Sequence, residues 1–375
     1  MNLNYHKMKF LRLAFYVLIA QLVLSGCAGE AVEETSSSSA SEINFDAYVG
    51  RNASTRSNIT DIDFLRSGEW NAGFGVFARY GNTHLMDTEH VTWRGDHWGY
   101  DHIRFWPSSG KVDFYAFARY VPIVTMGCLP DTLGGNRTEE TYINFPSNES
   151  PIDLIWAKKT GQEAPTSPGS KVTFQFKHAL SRLSFKITAN QKLLEDGAVI
   201  NVKEVRLYGA EEHKGIFRMA GYLNLNSNSG DWRPYNNGVS WFYTWTETGK
   251  KDGVNDSIQK IDGPVLKLSE HPQLDINKTS ITNDENSYIF IIPQELPENF
   301  NIMITYTVTQ GDFKEEDVTV KKNLRDVLLK KDREFKFEQG KAYVFNLKLL
   351  DPINFDVKTT VGDWNGNVVN DEITI

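Results

Sequence analysis

The sequence predicts an all-β protein, two tandem β-sandwich domains behind a secretory leader and a flexible linker. Three observations predict it. Apolar residues recur with period two in many short runs, turn formers punctuate those runs, and helical periodicity is scarce. Ile43, Phe45, Ala47 and Val49 alternate with Asn44, Asp46 and Tyr48. Val172, Phe174 and Phe176 repeat the pattern, as do Leu183, Phe185 and Ile187. Further on, Ile302, Ile304, Tyr306 and Val308 share one face, and so do Tyr343, Phe345, Leu347 and Leu349. Phe355, Val357 and Val361 form a last such face, and Val112–Tyr120, Val202–Tyr208 and Tyr288–Ile292 are strand-like. Ser108-Ser109-Gly110, Gly134-Gly135-Asn136, Asn226–Gly230 and Gln310-Gly311-Asp312 supply turns between them. Many short strands with regular turns indicate sandwiches rather than a parallel α/β sheet. The helical exceptions are short: Asn323–Lys331, capped by Asn323, and a turn at Gln191–Asp196.

The leader occupies residues 1–26. Lys7, Lys9 and Arg12 precede an apolar run from Leu13 to Leu24, then Ser25, Gly26 and Cys27. A charged start, a short apolar run and small residues before the cut describe a secretory signal, and the run is too short to span a bilayer at ~20 residues. A cysteine directly after Leu24-Ser25-Gly26 makes it a bacterial lipoprotein signal, because the lipid is attached to a thiol at the new N-terminus. Cys27 is therefore the expected lipidation site. Residues 27–41, with Glu30, Glu33, Glu34 and Ser36–Ser39, hold almost nothing apolar to bury and are expected to be a disordered linker. About 330 residues follow, enough for two domains. Pro165, Pro168 and Gly169 interrupt the strand pattern, so the expected domains are 42–168 and 169–375.

Without the leader, 37 basic residues face 48 acidic ones, a net charge of about −11. That balance gives no electrostatic footprint for nucleic acid. With Cys27 lipidated, Cys128 has no partner for a disulfide, so stability is expected to come from large apolar cores. Cys128, between Gly127 and Leu129, reads as a buried small hydrophobe.

Catalytic constellations are missing from the pattern: there is no Gly-x-Ser-x-Gly elbow, no His-Glu-x-x-His pair and no phosphate-binding glycine loop. No enzymatic role, catalytic residue, cofactor or metal is expected. His84, His90, His97 and His102 lie near Glu89, Asp96 and Asp101, but their spacing suits neither a helix face nor a strand face. Trp93, Trp98 and Trp106, with Tyr100 and Phe105, form a dense aromatic group. Exposed, they would stack on sugar rings; buried, they are sandwich core, which Arg104-Phe105-Trp106-Pro107 favours by reading as a strand entering a turn.

Several landmarks together resemble the fimbrillin (Mfa-like) family of Bacteroidetes pilus subunits and surface lipoproteins. Ile103-Arg104-Phe105-Trp106-Pro107 followed by Val112-Asp113-Phe114-Tyr115-Ala116-Phe117-Ala118 is similar to that family's first signature. His178-Ala179-Leu180-Ser181-Arg182 resembles its next strand. Ile291-Ile292-Pro293-Gln294, Gly340–Leu347 and Val361-Gly362-Asp363-Trp364 resemble its later landmarks, in order and spacing. The resemblance implies two transthyretin-like β-sandwich domains in a subunit exported as a lipoprotein to the outer membrane and the fimbria at the cell surface. It further implies that a protease cuts after an arginine and removes the first strand, whose groove then accepts a strand from another pilus subunit.

The chain holds suitable parts. Ile43, Phe45, Ala47 and Val49 mark the strand to be displaced, and Arg51 and Arg56 follow it, with small polar residues Asn52–Thr55 between. The candidate donor is the tail beyond Trp364, where Val369, Ile373 and Ile375 fall on one side of an alternating segment, although Asp371 shares that side. The alternative at this stage is a monomeric surface lipoprotein that binds a glycan or host protein near Trp93–Trp106 without polymerising.

Overall fold

The computed structural model describes residues 41–50, 60–121, 124–129, 140–145, 152–167, 169–210, 217–218, 220–234, 240–247, 258–263, 266–267, 273–275, 289–328, 335–351, 354–364 and 368–373. The lipoprotein motif Leu24–Cys27, the linker up to residue 40 and both candidate cleavage sites, Arg51 and Arg56, lie outside them. So does Ile375.

The first half runs β1 (Asn44–Val49), α1 (Ile62–Arg66), β2 (Phe74–Tyr80), β3 (Thr83–Trp93), β4 (Trp98–Gly99), β5 (Val112–Ala118), β6 (Thr125–Leu129), β7 (Glu140–Phe145), β8 (Ile155–Gln162) and β9 (Lys171–His178). Then come β10 (Ser181–Ala189), α2 (Gln191–Glu195), β11 (Val199–Tyr208), β12 (Phe217–Arg218), β13 (Gly221–Asn224), β14 (Asp231–Pro234), β15 (Ser240–Glu247), β16 (Ile258–Gly263), β17 (Leu266–Lys267) and β18 (Gln273–Asp275). The chain continues through β19 (Ile289–Ile291), β20 (Asn301–Gln310), β21 (Phe313–Asn323), α3 (Arg325–Leu328), β22 (Lys341–Asp351), β23 (Asn354–Asp363) and β24 (Val368–Ile373). The fold is nearly all β, as the alternation predicts. The expected turn at 191–196 is the short helix α2, capped by Asn190. In α3 the Asn323 side chain accepts hydrogen bonds from the Arg325 and Asp326 amides, as its place before the helix predicts.

The first seven-stranded sheet has the order β1-β9-β8-β5-β2-β3-β4. It folds over on itself. Phe174 on β9 and Phe74 on β2 are three strand spacings apart, about 14 Å in a flat sheet, yet their ring centroids lie 5.9 Å apart. Its concave face thus forms one core from Ile43, Phe45, Phe74, Trp98, Phe114 and Phe174 among others. The convex face carries Phe77, Tyr115, Phe117 and Trp156 and packs on a four-stranded sheet of order β14-β13-β7-β6 through Met126, Ile143 and Leu223. Period-two alternation along β2, β5 and β8 feeds both cores at once, which is why those strands are apolar on both faces.

The second sandwich packs a sheet of order β18-β10-β22-β23-β24 against one of order β12-β15-β11-β20-β21. Leu183, Phe185, Ile187, Phe345 and Leu347 face Ile200, Val202, Ile302, Ile304 and Tyr306 across its core.

The sheets do not part at 168/169. Strand β9 continues the first sheet to His178, pairing with β8 and β1, so Pro165–Gly169 belongs to the connection between two paired strands. Likewise β13 reaches back to pair with β7, aligning Leu223 with Ile143. Proline and glycine mark turn chemistry and do not distinguish a hairpin loop from a linker.

Candidate functional site

Strand β1 is the edge of the first sheet. It runs parallel to β9 in a register from Asn44↔Lys171 to Val49↔Phe176. Among the described residues its further main-chain bonds gather at one end, where the Ile43 amide donates to the Arg104 carbonyl at 2.9 Å and the Trp106 amide to the Ser41 carbonyl at 3.0 Å. Ile43, Phe45, Ala47 and Val49 are all buried, whereas Tyr48 on the opposite face is 53% exposed. The alternation in sequence is thus the alternation of core and solvent.

The groove under β1 is lined by aromatic rings. Phe45 sits among Phe174 at 5.7 Å, Tyr100 at 5.6 Å, Phe114 at 6.0 Å and Phe74 at 6.5 Å between centroids. The burial of Ile43, Phe45 and Val49 is worth roughly 1.5–3 kcal/mol each. The Tyr100 hydroxyl donates to the Ile43 carbonyl at 2.8 Å, so one side chain of the groove also reads the strand's main chain.

Burial pushes the Tyr100 phenol from its ordinary 10.0 up to about 12. The neutral form is favoured by folding, so this contribution is complete below about pH 10 and is lost as pH rises towards 12. Ionisation would also set a phenolate against the Ile43 carbonyl. Between those pH values β1 amides are expected to lose protection from hydrogen exchange before β20 amides do, and Tyr100→Phe should abolish that alkaline step. An unchanged step in the variant would assign the transition elsewhere.

The chain beyond the candidate cleavage sites is pinned. The Thr60 amide donates to the Asp153 carboxylate at 2.7 Å and its hydroxyl to the Asp153 carbonyl at 2.6 Å. Arg119 Nε donates to the Thr60 hydroxyl at 3.1 Å, and its guanidinium lies over Phe64 at 3.8 Å. Burial lowers the Arg119 pKa, and the Asp153 carboxylate opposes that shift. Helix α1 then starts on Asp61, whose carboxylate accepts from the Phe64 amide at 2.8 Å. Gly73 lets the chain turn back into β2: its φ is +80°, and a Cβ there would lie 2.2 Å from the Val91 carbonyl oxygen. Sequence reasoning passed over α1, although Asp61 before Ile62 and Leu65 is its signal.

At the other end of the chain, β24 forms the edge of the second sandwich's first sheet. It pairs with β23 through Thr359↔Ile373, Thr360↔Glu372 and Gly362↔Val368, with an irregularity between the last two. The candidate donor residues Val369 and Ile373 therefore belong to an edge strand of their own sheet. Just before this strand, Trp364 is 4% exposed. Its ring stacks on His178 at 4.2 Å and on Phe290 at 5.7 Å, with the Arg182 guanidinium 5.5 Å from its centre.

The aromatic group is mainly core. Trp98 is 3% and Trp106 6% exposed, so neither offers a face for a sugar, which corrects the stacking reading. Trp93 is half-buried, and the Arg66 guanidinium covers its ring at 4.4 Å. The aromatic residue types alone do not say which way these rings face. The histidines go to separate partners: His90 stacks on Tyr120 at 3.8 Å, His84 meets Phe77 at 4.8 Å, and His97 and His102 pair with Asp96 and Glu89.

The landmarks noted in the sequence converge in space. His178 and Arg182 meet Trp364, the Gly340 amide donates to the Leu180 carbonyl at 3.0 Å, and β10 aligns Arg182 with Ala342. The Fimbrillin-like family profile matches residues 55–364, most of the chain. The chain belongs to the fimbrillin-like family. A curated relative, Fimbrium subunit Fim1C of Phocaeicola vulgatus, is 26% identical over 382 aligned residues, covering 95% of this chain and 97% of the relative. The fold is also that of a fimbrial protein from Bacteroides vulgatus, with a TM-score of 0.54 at 18% identity over 86% of this chain and 99% of that one. As a fimbrillin-like protein the chain is of a cell-surface, fimbrial kind. The family match opens after β1 and closes before β24, so both edge strands lie outside it.

Proposed function

We propose that this fimbrillin-like chain is a structural or adhesive subunit of a surface fimbria, exported to the outer membrane as a lipoprotein through Cys27 and assembled by protease-triggered strand exchange. The observation that carries the reading is β1 itself, an edge strand whose four inward side chains fill an aromatic groove. A cut after Arg56 or Arg51 falls between this strand and the anchor at Thr60. Strand β1 would leave alone, and Thr60, at the entry to α1, would stay fixed on Asp153. The emptied groove would present unpaired backbone groups of β9 and an apolar floor, and an extended strand from another pilus subunit satisfies both. The tail carrying Val369, Ile373 and Ile375 is the proposed donor to a neighbouring subunit, since an edge strand leaves its sheet at the lowest cost.

N-terminal sequencing of the protein recovered from the cell surface tests this. A start at Ser57 or Asn52 is expected, and a chain in which both Arg51 and Arg56 are replaced by alanine should keep β1 and fail to enter filaments seen by electron microscopy. Filaments built from a chain that still contains Ile43–Val49 would overturn the reading.

A further inference from the structure

We infer that the β1 groove is built for an extended segment of a different protein chain, one with an aromatic side chain at its second inward position and no charge at any of the four, and that this chain's own tail is not its ligand. The inference rests on the strand-exchange reading. The resident strand is a template of the occupant: Ile43, Phe45, Ala47 and Val49 fill four successive positions, in the order large aliphatic, aromatic, small, branched. The second position is enclosed by the rings of Phe74, Tyr100, Phe114 and Phe174. The buried side chains of this core carry no charge; its polar groups are the Tyr100 hydroxyl, bonded to the Ile43 carbonyl, and the indole N–H groups of Trp98 and Trp106. Among the described residues the buried charged side chains are Asp153, held by Thr60, and Arg206, paired with Glu204 in the second sandwich. Neither is available to a charge in this groove; Arg104, with a buried Nε, stands at its Ile43 end, so the exclusion of charge is strongest at the second to fourth positions.

Threaded as a regular strand in either direction, the tail presents two faces. One carries Asn365, Asn367, Val369, Asp371, Ile373 and Ile375, the other Gly366, Val368, Asn370, Glu372 and Thr374. Any four consecutive positions of the first face include Asp371, and any four of the second include both Asn370 and Glu372. Every register that fills the groove therefore brings a carboxylate into it. An unpaired carboxylate in a dry aromatic site must be neutralised or stay out. A register starting at Asp371 leaves the fourth position empty and still buries the acid. The mid-tail acid thus discriminates against the chain's own groove and favours a groove of different lining. Head-to-tail repetition of this one chain is blocked, and the subunit joins unlike neighbours on its two sides.

The test uses the full mature chain with a site-specific protease sequence replacing Asn52–Thr55, cut and then incubated with labelled peptides. One peptide spans Glu42–Gly50, one spans Asn365–Ile375, and one is the tail peptide with Asp371→Phe and Ile373→Ala, which restores the order aliphatic, aromatic, small, aliphatic. The first and third are expected to replace β1, and the native tail to bind about 100-fold more weakly or worse. Binding of the native tail within tenfold of the Glu42–Gly50 peptide, or polymerisation of the cut chain by itself, would overturn the inference while leaving strand exchange standing. Failure of the Glu42–Gly50 peptide to enter would overturn the strand-exchange reading and this inference with it.

Discussion

Replacing Phe45 by alanine is expected to destabilise the uncut protein by about 3–5 kcal/mol, the usual cost of emptying a buried phenylalanine site. The ring is enclosed by four others, and such aromatic pairs add about 0.5–1.5 kcal/mol each beyond area burial. The loss should be local. From Asn44 to Val49 strand β1 pairs with β9 alone, its further main-chain bonds lying at Ser41 and Ile43, so it detaches before the sheet opens. Hydrogen exchange should show β1 amides losing protection while those of β20 and β22 in the second sandwich keep theirs. Tyr48→Ala, on the exposed face of the same strand, should change stability by less than about 0.5 kcal/mol. If Phe45→Ala leaves the melting temperature within a degree, the groove is not what holds β1.

That prediction was half legible in the sequence. The four alternating apolar residues from Ile43 to Val49 announce a strand with one buried face, and the structure buries all four. What covers them was not legible, because β9 lies more than a hundred residues away and strand pairing at that distance leaves no local signal. The same limit explains Trp98 and Trp106. Their identity marks them as large and aromatic, but only the folding-over of the sheet, seen where Phe74 meets Phe174, decides that they face inward. Pro165 and Gly169 mislead for a related reason, since the turn they signal joins β8 to β9 inside one sheet. The return of β13 to β7 is likewise a long-range pairing that no window of sequence contains. Period and turn chemistry specify elements; register and closure are properties of the assembled cores.

Trp364→Ala is expected to be as costly, about 3–5 kcal/mol, and to act at both ends of the molecule's third core. The indole closes the cluster between the convex face of the first sheet and the second sandwich. It stacks on His178, whose Nδ1 lies 3.0 Å from the buried carboxylate of Asp153, the same group that pins Thr60. It also stacks on Phe290, the middle residue of β19. Its position four residues before Val368 makes it the root from which β24 departs. Truncation should therefore lower the melting temperature and raise amide exchange along β24 together. Trp364→Phe retains an aromatic face towards Phe290 and should recover at least half of the lost stability. A variant that melts early while β24 keeps its protection would mean that the tail is held by its pairing with β23 alone. In that case Trp364 would serve the junction between the sheets and play no part in how the last strand is released.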